Sequence, residues 1–489
     1  MSGYPRSLLE MIEKLKFDYS SKTIPLSHQI EAIDFIRRHN IVPLFDEQGL
    51  GKSKMVIDAL CSNIRSKEID GALIICKKSL LHTWRNEILK HSHLFPVVLS
   101  GSKRQRGRSF LTFGHFYIVN YEAVLQELEL VQLILKHKDF AIVLDESQRI
   151  KNPNAKTTKA ILSLSSLSKK RVIITGTPIA NRPEDIWSQF YFLDQGKTMG
   201  SDYIEFKTKY EIKLKGNESL ANFEKQLIDL RSRIDEVSVR RTKDVLDLPE
   251  KKYLNVDVVL SPKQQEIYDV AKSELYYEIE NIDGDSVIKE IDNYLVKLLR
   301  LTQIASNPKL LIDDYDETPS KFIKLDELIQ EITDRGEKVI IWTSFKKNIR
   351  LLRSRYKSFG ALMLFGEIPI DERNNIVVKF TTIRKYMVLI ANPAAAKEGL
   401  TLNPANNAIY LDRNFKMDDY LQSQDRIHRV GQTKKCNIIK LVARNTIDKY
   451  TDEILEKKEL IAGYTLGDHE HIDMKRPCLS KEDLIEILG

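Results

Sequence analysis

The sequence predicts an α/β protein made of two parallel-sheet lobes in tandem, with helical insertions around the junction between them. Short, unbroken apolar runs recur along its 489 residues, and such runs are typical of strands that are buried on both faces of a parallel sheet. Segments with one apolar helical face lie between them, as an α/β fold requires. The runs form an early group and a late group, and each group predicts one lobe.

The candidate strands divide into these two groups. The first group consists of "IVPLF" (41–45), "ALIIC" (72–76), "FYIVN" (116–120), "FAIVL" (140–144) and "RVIIT" (171–175). The second group consists of "KVIIW" (338–342), "YMVLI" (386–390), "NAIYL" (407–411) and "NIIKLV" (437–442).

The stretch between the two groups is different, because it is rich in charge and in helical periodicity. Within it, "LDLPEKKYLN" is the best candidate for the junction between the lobes. The expected N-terminal lobe is 1–250, with sequence motifs at 26–195 and a helical insertion at about 196–245. The expected C-terminal lobe is 251–489, with a helical insertion at about 262–320, motifs at 321–465 and a short tail.

Composition narrows the class of protein. Lysine and arginine number 76 and aspartate and glutamate 69, so the net charge is only +7, and any nucleic-acid surface is expected to be a local patch. Cys61, Cys76, Cys436 and Cys478 lie far apart, which argues against a zinc ribbon or a disulfide framework. We expect a reducing intracellular compartment, cytoplasmic, nucleoid or nuclear. We expect no membrane association, because no apolar run is long enough to cross a bilayer.

The stretch "DEQGLGKSK", which begins at Asp46, follows the first candidate strand and opens a helix. It matches the phosphate-loop pattern G-x-x-x-x-G-K-[ST], except that an acid takes the first position. Gly49 and Gly51 would let backbone amides approach phosphate oxygens, Lys52 would reach the β and γ phosphates, and the Ser53 hydroxyl would bind Mg²⁺. Taken alone, the loop fits a glycine-rich turn with a surface lysine about equally well.

An acidic pair elsewhere in the first group favours the phosphate-binding interpretation of the loop over the glycine-rich turn. Asp145 and Glu146 follow the apolar run "FAIVL", at the carboxyl end of a strand, where α/β proteins bind ligands. With Mg²⁺ supplied by a nucleotide, Asp145 could hold the ion and Glu146 could orient or deprotonate the attacking water. The alternative is a helix N-cap acid with a solvated neighbour.

Two arginines are candidates for stabilising negative charge on a transferred phosphoryl group. Arg426 and Arg429 of "QSQDRIHRVGQ" are three residues apart, so on a helix they would share one face and point to a common target. A solvated basic helix face is the alternative interpretation.

Six motifs in this order resemble those of the Swi/Snf-type ATPases of helicase superfamily two. They are "DEQGLGKS", "LDESQRIKN", "ITGTPIANRPEDIWSQFYFL", "SVRRTKDVLDLPEK", "AAKEGLTLNPANNAIYLD" and "QSQDRIHRVGQ". The resemblance extends from "LSHQIEAI" to "TIDKYTDEILEKKELI". It implies two RecA-like lobes, ATP and Mg²⁺ as cofactors, and a monomeric motor that hydrolyses ATP, translocates on double-stranded DNA and remodels DNA or protein–DNA complexes. It identifies no protein partner.

The resemblance also assigns residue roles. Catalytic roles would fall on Lys52, Asp145, Glu146, Arg426 and Arg429, with Ser53 and Asp145 as the Mg²⁺ ligands. The remaining nucleotide contacts would be Gln29, which would read the adenine edge, with Asp46, Glu47, Gln48, Gly49, Leu50, Gly51 and Gln148. Nucleotide state would be coupled to nucleic-acid contacts by Thr175, Gly176, Thr177 and Gly399. Nucleic-acid backbone contacts would be Lys78, Ser79, Asn120, Thr343, Ser344, Lys397 and Thr401.

Some residues depart from the family pattern or allow a simpler interpretation. Gln148 stands in the histidine position of the DEAH-like box, and Ala396 and Lys397 replace a glycine pair. For Trp84 and Trp342, core packing is preferred over a nucleic-acid contact. Two other functions remain open: a strand-separating or fork- and junction-remodelling DNA helicase, and an ATP-switched DNA-binding scaffold with slow hydrolysis.

Overall fold

The computed structural model describes residues 18–179, 181–211, 217–280, 297–396 and 400–470. Lys397 and Gly399, both predicted site residues, lie outside this set. The chain divides into two compact units. Among the described residues, the first unit contains 18–211, 221–245 and 462–470, and the second contains 217–220 and 246–461.

The first unit is built on a six-stranded sheet in which every pairing is parallel, in the order β1-β6-β5-β2-β4-β3. The central strands β2 and β5 are buried along nearly their whole length, as their apolar sequences predict. The strands are β1 Ile41–Leu44, β2 Gly71–Cys76, β3 Pro96–Leu99, β4 Phe116–Asn120, β5 Phe140–Asp145 and β6 Arg171–Ile174.

Helices connect these strands. Those that lie wholly or mostly in the first unit are α1 Ser27–Arg38, α2 Lys52–Arg65, α3 Leu81–His91, α4 Lys103–Phe110, α5 Tyr121–Gln126, α6 Leu128–His137, α7 Lys156–Leu162, α8 Trp187–Asp194, α9 Tyr203–Tyr210 and α10 Asn217–Asp235. Because the strands are parallel, their carboxyl ends meet at one edge of the sheet, and the phosphate-loop and acidic motifs lie at that edge.

A short segment after α10 extends this sheet beyond β1. Val239 pairs in parallel with Leu44, its amide donates to the Pro43 carbonyl, and its own carbonyl accepts from Phe45. Two residues further on, the Glu47 amide donates to the Arg241 carbonyl at 2.9 Å. The segment therefore runs directly beside the start of the "DEQGLGKSK" loop.

The second unit repeats the architecture with a six-stranded parallel sheet in the order β7-β12-β11-β8-β10-β9. Its core includes Val339, Ile341, Val388, Ile390 and Ile409, all completely buried. The strands are β7 Lys251–Val258, β8 Lys338–Trp342, β9 Leu362–Leu364, β10 Val388–Ala391, β11 Ala405–Tyr410 and β12 Cys436–Ala443.

The helices that lie wholly or mostly in the second unit are α11 Pro262–Glu280, α12 Ser320–Asp334, α13 Lys346–Arg355, α14 Ile370–Thr382, α15 Pro393–Ala396, α16 Met417–Gln424 and α17 Ile447–Thr465. Residues 297–306 are also helical. The predicted fold class, α/β with two parallel-sheet lobes, is confirmed. None of the helices formed by the described residues is long and apolar enough to cross a membrane.

Candidate functional site

The "DEQGLGKSK" loop has the backbone conformation of a tight turn that leads into a helix. Gly49 and Gly51 have φ values of 91° and 82°, which L side chains rarely adopt, and Gly51 caps the N-terminus of α2. The Lys52 ammonium folds back over the loop and donates to the carbonyl oxygens of Asp46 at 2.6 Å and Glu47 at 2.9 Å. Burial lowers the pKa of Lys52, and the nearby acids oppose that shift. The loop therefore holds the Lys52 ammonium against its own backbone.

Gln29 packs directly on this loop from α1. Its side-chain amide donates to the Leu50 carbonyl at 3.0 Å, and its oxygen accepts from the Leu26 backbone at 2.9 Å. A Cβ on Gly51 would lie only 2.3 Å from Gln29 Nε2. Gln29 is therefore close enough to contact a ligand of the loop, while the adenine contact stays a prediction.

Asp46, the unusual acid at the start of the loop, is completely buried. Neither carboxylate oxygen has a hydrogen-bond partner, and the nearest cation is Arg241, whose Nη1 lies 3.7 Å from Oδ2. Burial raises the pKa of Asp46, and Arg241 and Lys52 oppose this increase. The acid is thus held against an arginine supplied by the segment that extends the sheet.

The neighbouring arginine of that segment also supports the loop. Arg240 donates from Nη1 to the Phe45 carbonyl at 2.7 Å, and its Nε donates to Asp468 at 2.7 Å. The Glu47 carboxylate in turn accepts from the Lys243 amide at 2.5 Å. The motif "SVRRTKD" thus braces the start of the phosphate-loop motif on the first unit.

The acidic pair lies at the end of β5, as predicted. Trp84 donates from Nε1 to Oδ2 of Asp145 at 2.8 Å, and the Tyr121 hydroxyl donates to the Asp145 carbonyl at 2.8 Å. Burial and the adjacent Glu146 carboxylate raise the pKa of Asp145 to about 6, against the opposing effect of the Trp84 hydrogen bond. Two carboxyl groups are therefore held together where a cation would be favoured.

Glu146 has a left-handed backbone conformation, with φ 55° and ψ 51°, which is uncommon for a residue with a side chain. Gln148, in the position where the family has histidine, donates from Nε2 to the Glu146 carboxylate at 2.5 Å. The backbone thus turns sharply between the two acids, and the amide of Gln148 fixes the orientation of the second one.

Thr175, Gly176 and Thr177 lie beside the phosphate-loop motif. The Thr175 amide donates to the Leu44 carbonyl, and the Thr177 amide donates to the Thr175 hydroxyl at 3.0 Å. A Cβ on Gly176 would lie 2.9 Å from Cγ of Gln48 and 3.2 Å from its backbone nitrogen. The contact places this segment where it could sense the loop, and the coupling role stays a prediction.

Three predicted nucleic-acid contacts lie at the same edge of the first sheet. Lys78 is exposed and Ser79 half-buried in the 3-10 turn that follows β2. Asn120 ends β4, and its side chain donates to Glu122 at 2.8 Å. These groups are near the acidic pair, and their contacts with nucleic acid stay predictions.

In the second unit, Thr343 and Ser344 belong to a buried polar cluster. The Thr343 side chain is completely buried, and its hydroxyl donates to Asp412 at 2.6 Å. The Ser344 amide donates to the other oxygen of the same carboxylate at 2.6 Å. This placement gives no support to a phosphate contact by the Thr343 side chain, whereas Ser344 is half-buried.

Arg426 and Arg429 do not lie on a helix as expected, because α16 ends at Gln424 and both arginines occupy the turns that follow. Their guanidinium groups nevertheless converge, since each donates to the Leu400 carbonyl, at 3.3 Å from Arg426 and 3.4 Å from Arg429. Arg429 also donates to the hydroxyl of Thr401 at 2.9 Å. The two guanidinium groups therefore share a backbone acceptor through turn geometry, and their common role as arginine fingers stays a prediction.

Both tryptophans are buried, Trp84 with 2% and Trp342 with 0% of the side chain exposed, which agrees with the core interpretation. The Trp84 contact with Asp145 was not predicted from the sequence, and neither was a role for Tyr121, Arg240 or Arg241. The "SVRRTKD" motif was itself the signal for the arginines, because it is conspicuously basic next to a predicted junction.

The residues around the loop fit a metal ion that arrives with a nucleotide. No cluster of three or more His, Cys, Asp or Glu side chains able to hold a metal occurs in the part of the chain that the structure describes. A magnesium ion held by only one or two protein oxygens and by phosphates is the usual arrangement for nucleotide enzymes. Ser53 at the start of α2 and Asp145 at the end of β5 carry oxygens of the kind that such an ion takes, and their role as its ligands stays a prediction.

Comparisons with known proteins agree with the motifs. The SNF2-related domain matches residues 28–310, and the helicase conserved C-terminal domain matches residues 320–431. An uncharacterized ATP-dependent helicase of Mycoplasma genitalium is 30% identical over 91% of this chain and 42% of its own length. The human SWI/SNF-related matrix-associated actin-dependent regulator of chromatin subfamily A member 1 is 24% identical over 91% of this chain and 43% of its own length.

The SWI2/SNF2 ATPase core of Sulfolobus solfataricus, solved in complex with dsDNA, shares 30% sequence identity over 92% of this chain and 96% of that chain, with a TM-score of 0.44. The chain spans less than half the length of the two curated relatives. Since the SNF2-related domain matches more than half of the chain, the chain belongs to the SNF2-related family, as its motifs predicted.

Proposed function

We propose that the chain is an ATP-hydrolysing motor that translocates on double-stranded DNA and remodels DNA or protein–DNA complexes. The observation that carries the proposal is the meeting of the "DEQGLGKSK" loop and the Asp145–Glu146 pair at one edge of the first sheet, in an SNF2-related chain. The Mycoplasma relative, named an ATP-dependent helicase, and the human relative, named for SWI/SNF and chromatin, support this class of activity.

Bound Mg²⁺ and ATP supply the scissile γ-phosphate bond and the ion that neutralises the phosphate oxygens. Around them, the backbone amides near Gly49 and Gly51 would bind phosphate oxygens, and Lys52 would exchange its two carbonyl contacts for phosphate contacts. Ser53 and Asp145 would hold the metal, and Gln29, which donates to the Leu50 carbonyl of the loop, would contact the base. The contacts of Lys52 and Gln29 with the backbone of the loop support this proposal.

Glu146 orients the attacking water and accepts its proton. The water oxygen forms a bond to the γ phosphorus as the bond to the ADP oxygen breaks, and the proton passes to the Glu146 carboxylate. Gln148 supports this step, because its hydrogen bond to the carboxylate fixes the direction of the second oxygen. Arg426 and Arg429 stabilise the charge that develops on the transferred phosphoryl group.

DNA contacts are proposed for Lys78, Ser79 and Asn120 in the first unit and for Ser344 and Thr401 in the second. The contacts of Thr343 and Lys397 are kept from the sequence prediction, and Gly399 keeps its predicted coupling role. Such groups suit phosphate contacts, which position a protein on DNA without reading its sequence. We therefore expect duplex binding with little sequence preference and a steep decrease with salt. A monomeric motor in the compartment that holds the DNA is the expected form.

A strand-separating or fork-remodelling helicase is the nearest alternative, and an ATP-switched DNA scaffold with slow hydrolysis is the alternative of another class. The experiment that separates them uses a third strand annealed to a duplex and, in parallel, a forked duplex. ATP-dependent displacement of the third strand with the fork left paired is the expected result. Efficient unwinding of the fork, together with stronger ATPase stimulation by single strands than by duplex, would establish the helicase instead.

The ATPase rate tests the scaffold. A motor is expected to hydrolyse ATP at roughly 1 to 100 per second when duplex DNA is present, the scale of phosphoryl-transfer enzymes. The Glu146→Gln variant is the matched control, since it should bind DNA and ATP and displace nothing. If the wild-type protein hydrolyses ATP slowly and duplex DNA does not increase the rate, the result would favour the scaffold.

A further inference from the structure

Two side chains from segments predicted to contact nucleic acid end on Asp145. Trp84 lies in α3, which begins directly after the 3-10 turn Lys78–Leu80, and its indole N–H donates to Asp145 Oδ2 at 2.8 Å. Tyr121 is the first residue of α5, whose N-cap is Asn120, and its hydroxyl donates to the Asp145 carbonyl at 2.8 Å. Both side chains are at most 2% exposed.

Core packing alone does not account for this arrangement. A buried tryptophan has one donor to satisfy, and here it is directed at a carboxylate, the stronger kind of acceptor. The indole takes Oδ2, so the carboxylate cannot rotate freely and Oδ1 keeps a fixed direction. Tyr121 fixes the backbone of the same residue from another helix. Asp145 is therefore positioned through both its side chain and its main chain.

The tyrosine is also connected to the surface. The Arg149 guanidinium lies over the Tyr121 ring, 5.5 Å from its centre, and pairs with Glu122 at 2.7 Å. Glu122 in turn accepts a hydrogen bond from Asn120 at 2.8 Å. A change in the contacts of Asn120 or Arg149 can thus reach Asp145 through one aromatic ring.

We propose that Trp84 and Tyr121 are positioning residues that connect the Lys78–Leu80 turn and Asn120 to Asp145. DNA bound at the turn and at Asn120 then sets how tightly Asp145 holds magnesium with its nucleotide. The inference rests on the proposed function for the identity of the ligands. Linkage makes the effect reciprocal: if DNA tightens magnesium–nucleotide binding, magnesium–nucleotide tightens DNA binding by the same factor.

Trp84→Phe tests the indole contact, because phenylalanine keeps a buried ring and removes the N–H. The readout is the equilibrium affinity of a fluorescent ATP analogue, measured with EDTA and then over a magnesium titration, with no turnover required. Hydrogen bonds to charged groups support a decrease in apparent magnesium affinity of about tenfold or more. Affinity in EDTA should stay unchanged, and the increase in affinity on adding duplex DNA should be lost.

Trp187→Phe is the matched control. Trp187 is also buried in the first unit, and its indole N–H donates to a backbone carbonyl, that of Gly200, at 3.1 Å. It should lose a similar amount of stability and keep the wild-type magnesium titration. If Trp84→Phe and Trp187→Phe give the same magnesium titration and the same response to DNA, the inference is overturned.

Tyr121→Phe provides an independent second arm, with Tyr117→Phe as its control, because the Tyr117 hydroxyl donates to the Thr112 carbonyl at 2.8 Å. Tyr121→Phe should reduce the DNA effect on nucleotide affinity by at least severalfold, and a wild-type DNA effect would refute its role. Failure of the proposed function looks different, because the wild-type protein would then show magnesium-dependent nucleotide binding and no translocation. The magnesium titrations and DNA effects of the four variants test the inference separately from that result.

Discussion

The contact between Gly176 and the phosphate-loop motif predicts that Gly176→Ala weakens nucleotide binding. The added Cβ would lie 2.9 Å from Cγ of Gln48, 3.2 Å from its backbone nitrogen and 3.6 Å from the Asp46 carbonyl oxygen. One of the two segments has to move, and overpacking of this kind typically costs about 1–3 kcal/mol. The backbone of Gln48 belongs to the loop that would bind phosphates, so we expect ATP affinity to decrease by roughly 5- to 150-fold.

The assay is equilibrium binding of a fluorescent ATP analogue, with thermal unfolding measured in parallel. Gly107→Ala is the control for the substitution itself, because nothing lies within 4 Å of a Cβ at position 107. Gly107 also lies within the helix α4, where alanine has a higher helix propensity than glycine. Gly336→Ala adds a control for backbone strain, since its φ is +70° in open space. Wild-type ATP affinity and an unchanged Tm for Gly176→Ala would refute the reasoning.

Three further predictions address other groups. Lys52→Ala should weaken ATP binding and abolish turnover, whereas Glu146→Gln should keep ATP bound and stop hydrolysis. If both variants lost the same ATP affinity, Glu146 would have a structural role instead. Arg429→Ala should keep ATP affinity and lower kcat by about 10³-fold or more, and Arg426→Ala should be assayed beside it. A loss of ATP affinity with a normal kcat would contradict this prediction. Burial lowers the pKa of His115 to about 4, so stability should decrease by about 3 kcal/mol as pH falls from 6.5 to 4. The His115→Gln substitution should remove that pH dependence, as measured by urea unfolding at each pH. An unchanged dependence of stability on pH in the variant would exclude His115 as its source.

Burial explains which strands the sequence could predict. The strands inside each sheet are apolar along their length and were predicted from that pattern, as β2 and β5 illustrate. The three strands that the sequence analysis missed, β3, β7 and β9, all lie at sheet edges. Their residues are only partly buried, so they need no unbroken apolar run. An edge strand therefore carries a weaker signal than a central one.

The candidate site shows a similar division. Gly51, Lys52, Asp145 and Glu146 are recognisable because their chemistry depends on neighbours in the sequence. The partners that hold them come from far along the chain: Trp84 is 61 residues before Asp145, and Arg241 reaches Asp46 from the strand segment beyond α10. A sequence pattern gives the spacing of a motif, whereas the tertiary fold decides which distant donor meets it.

The charges around the loop show why those distant partners are needed. Burial raises the pKa of both Asp46 and Asp145, which means that the protein alone disfavours the ionised form of each acid. Arg241 opposes that penalty at Asp46, and the Trp84 hydrogen bond opposes it at Asp145. What remains at Asp145 is a carboxyl group that a divalent cation would favour in its charged form. Because the protein compensates this charge only in part, we expect Asp145 to be stabilised in its charged form by a metal that arrives with the nucleotide.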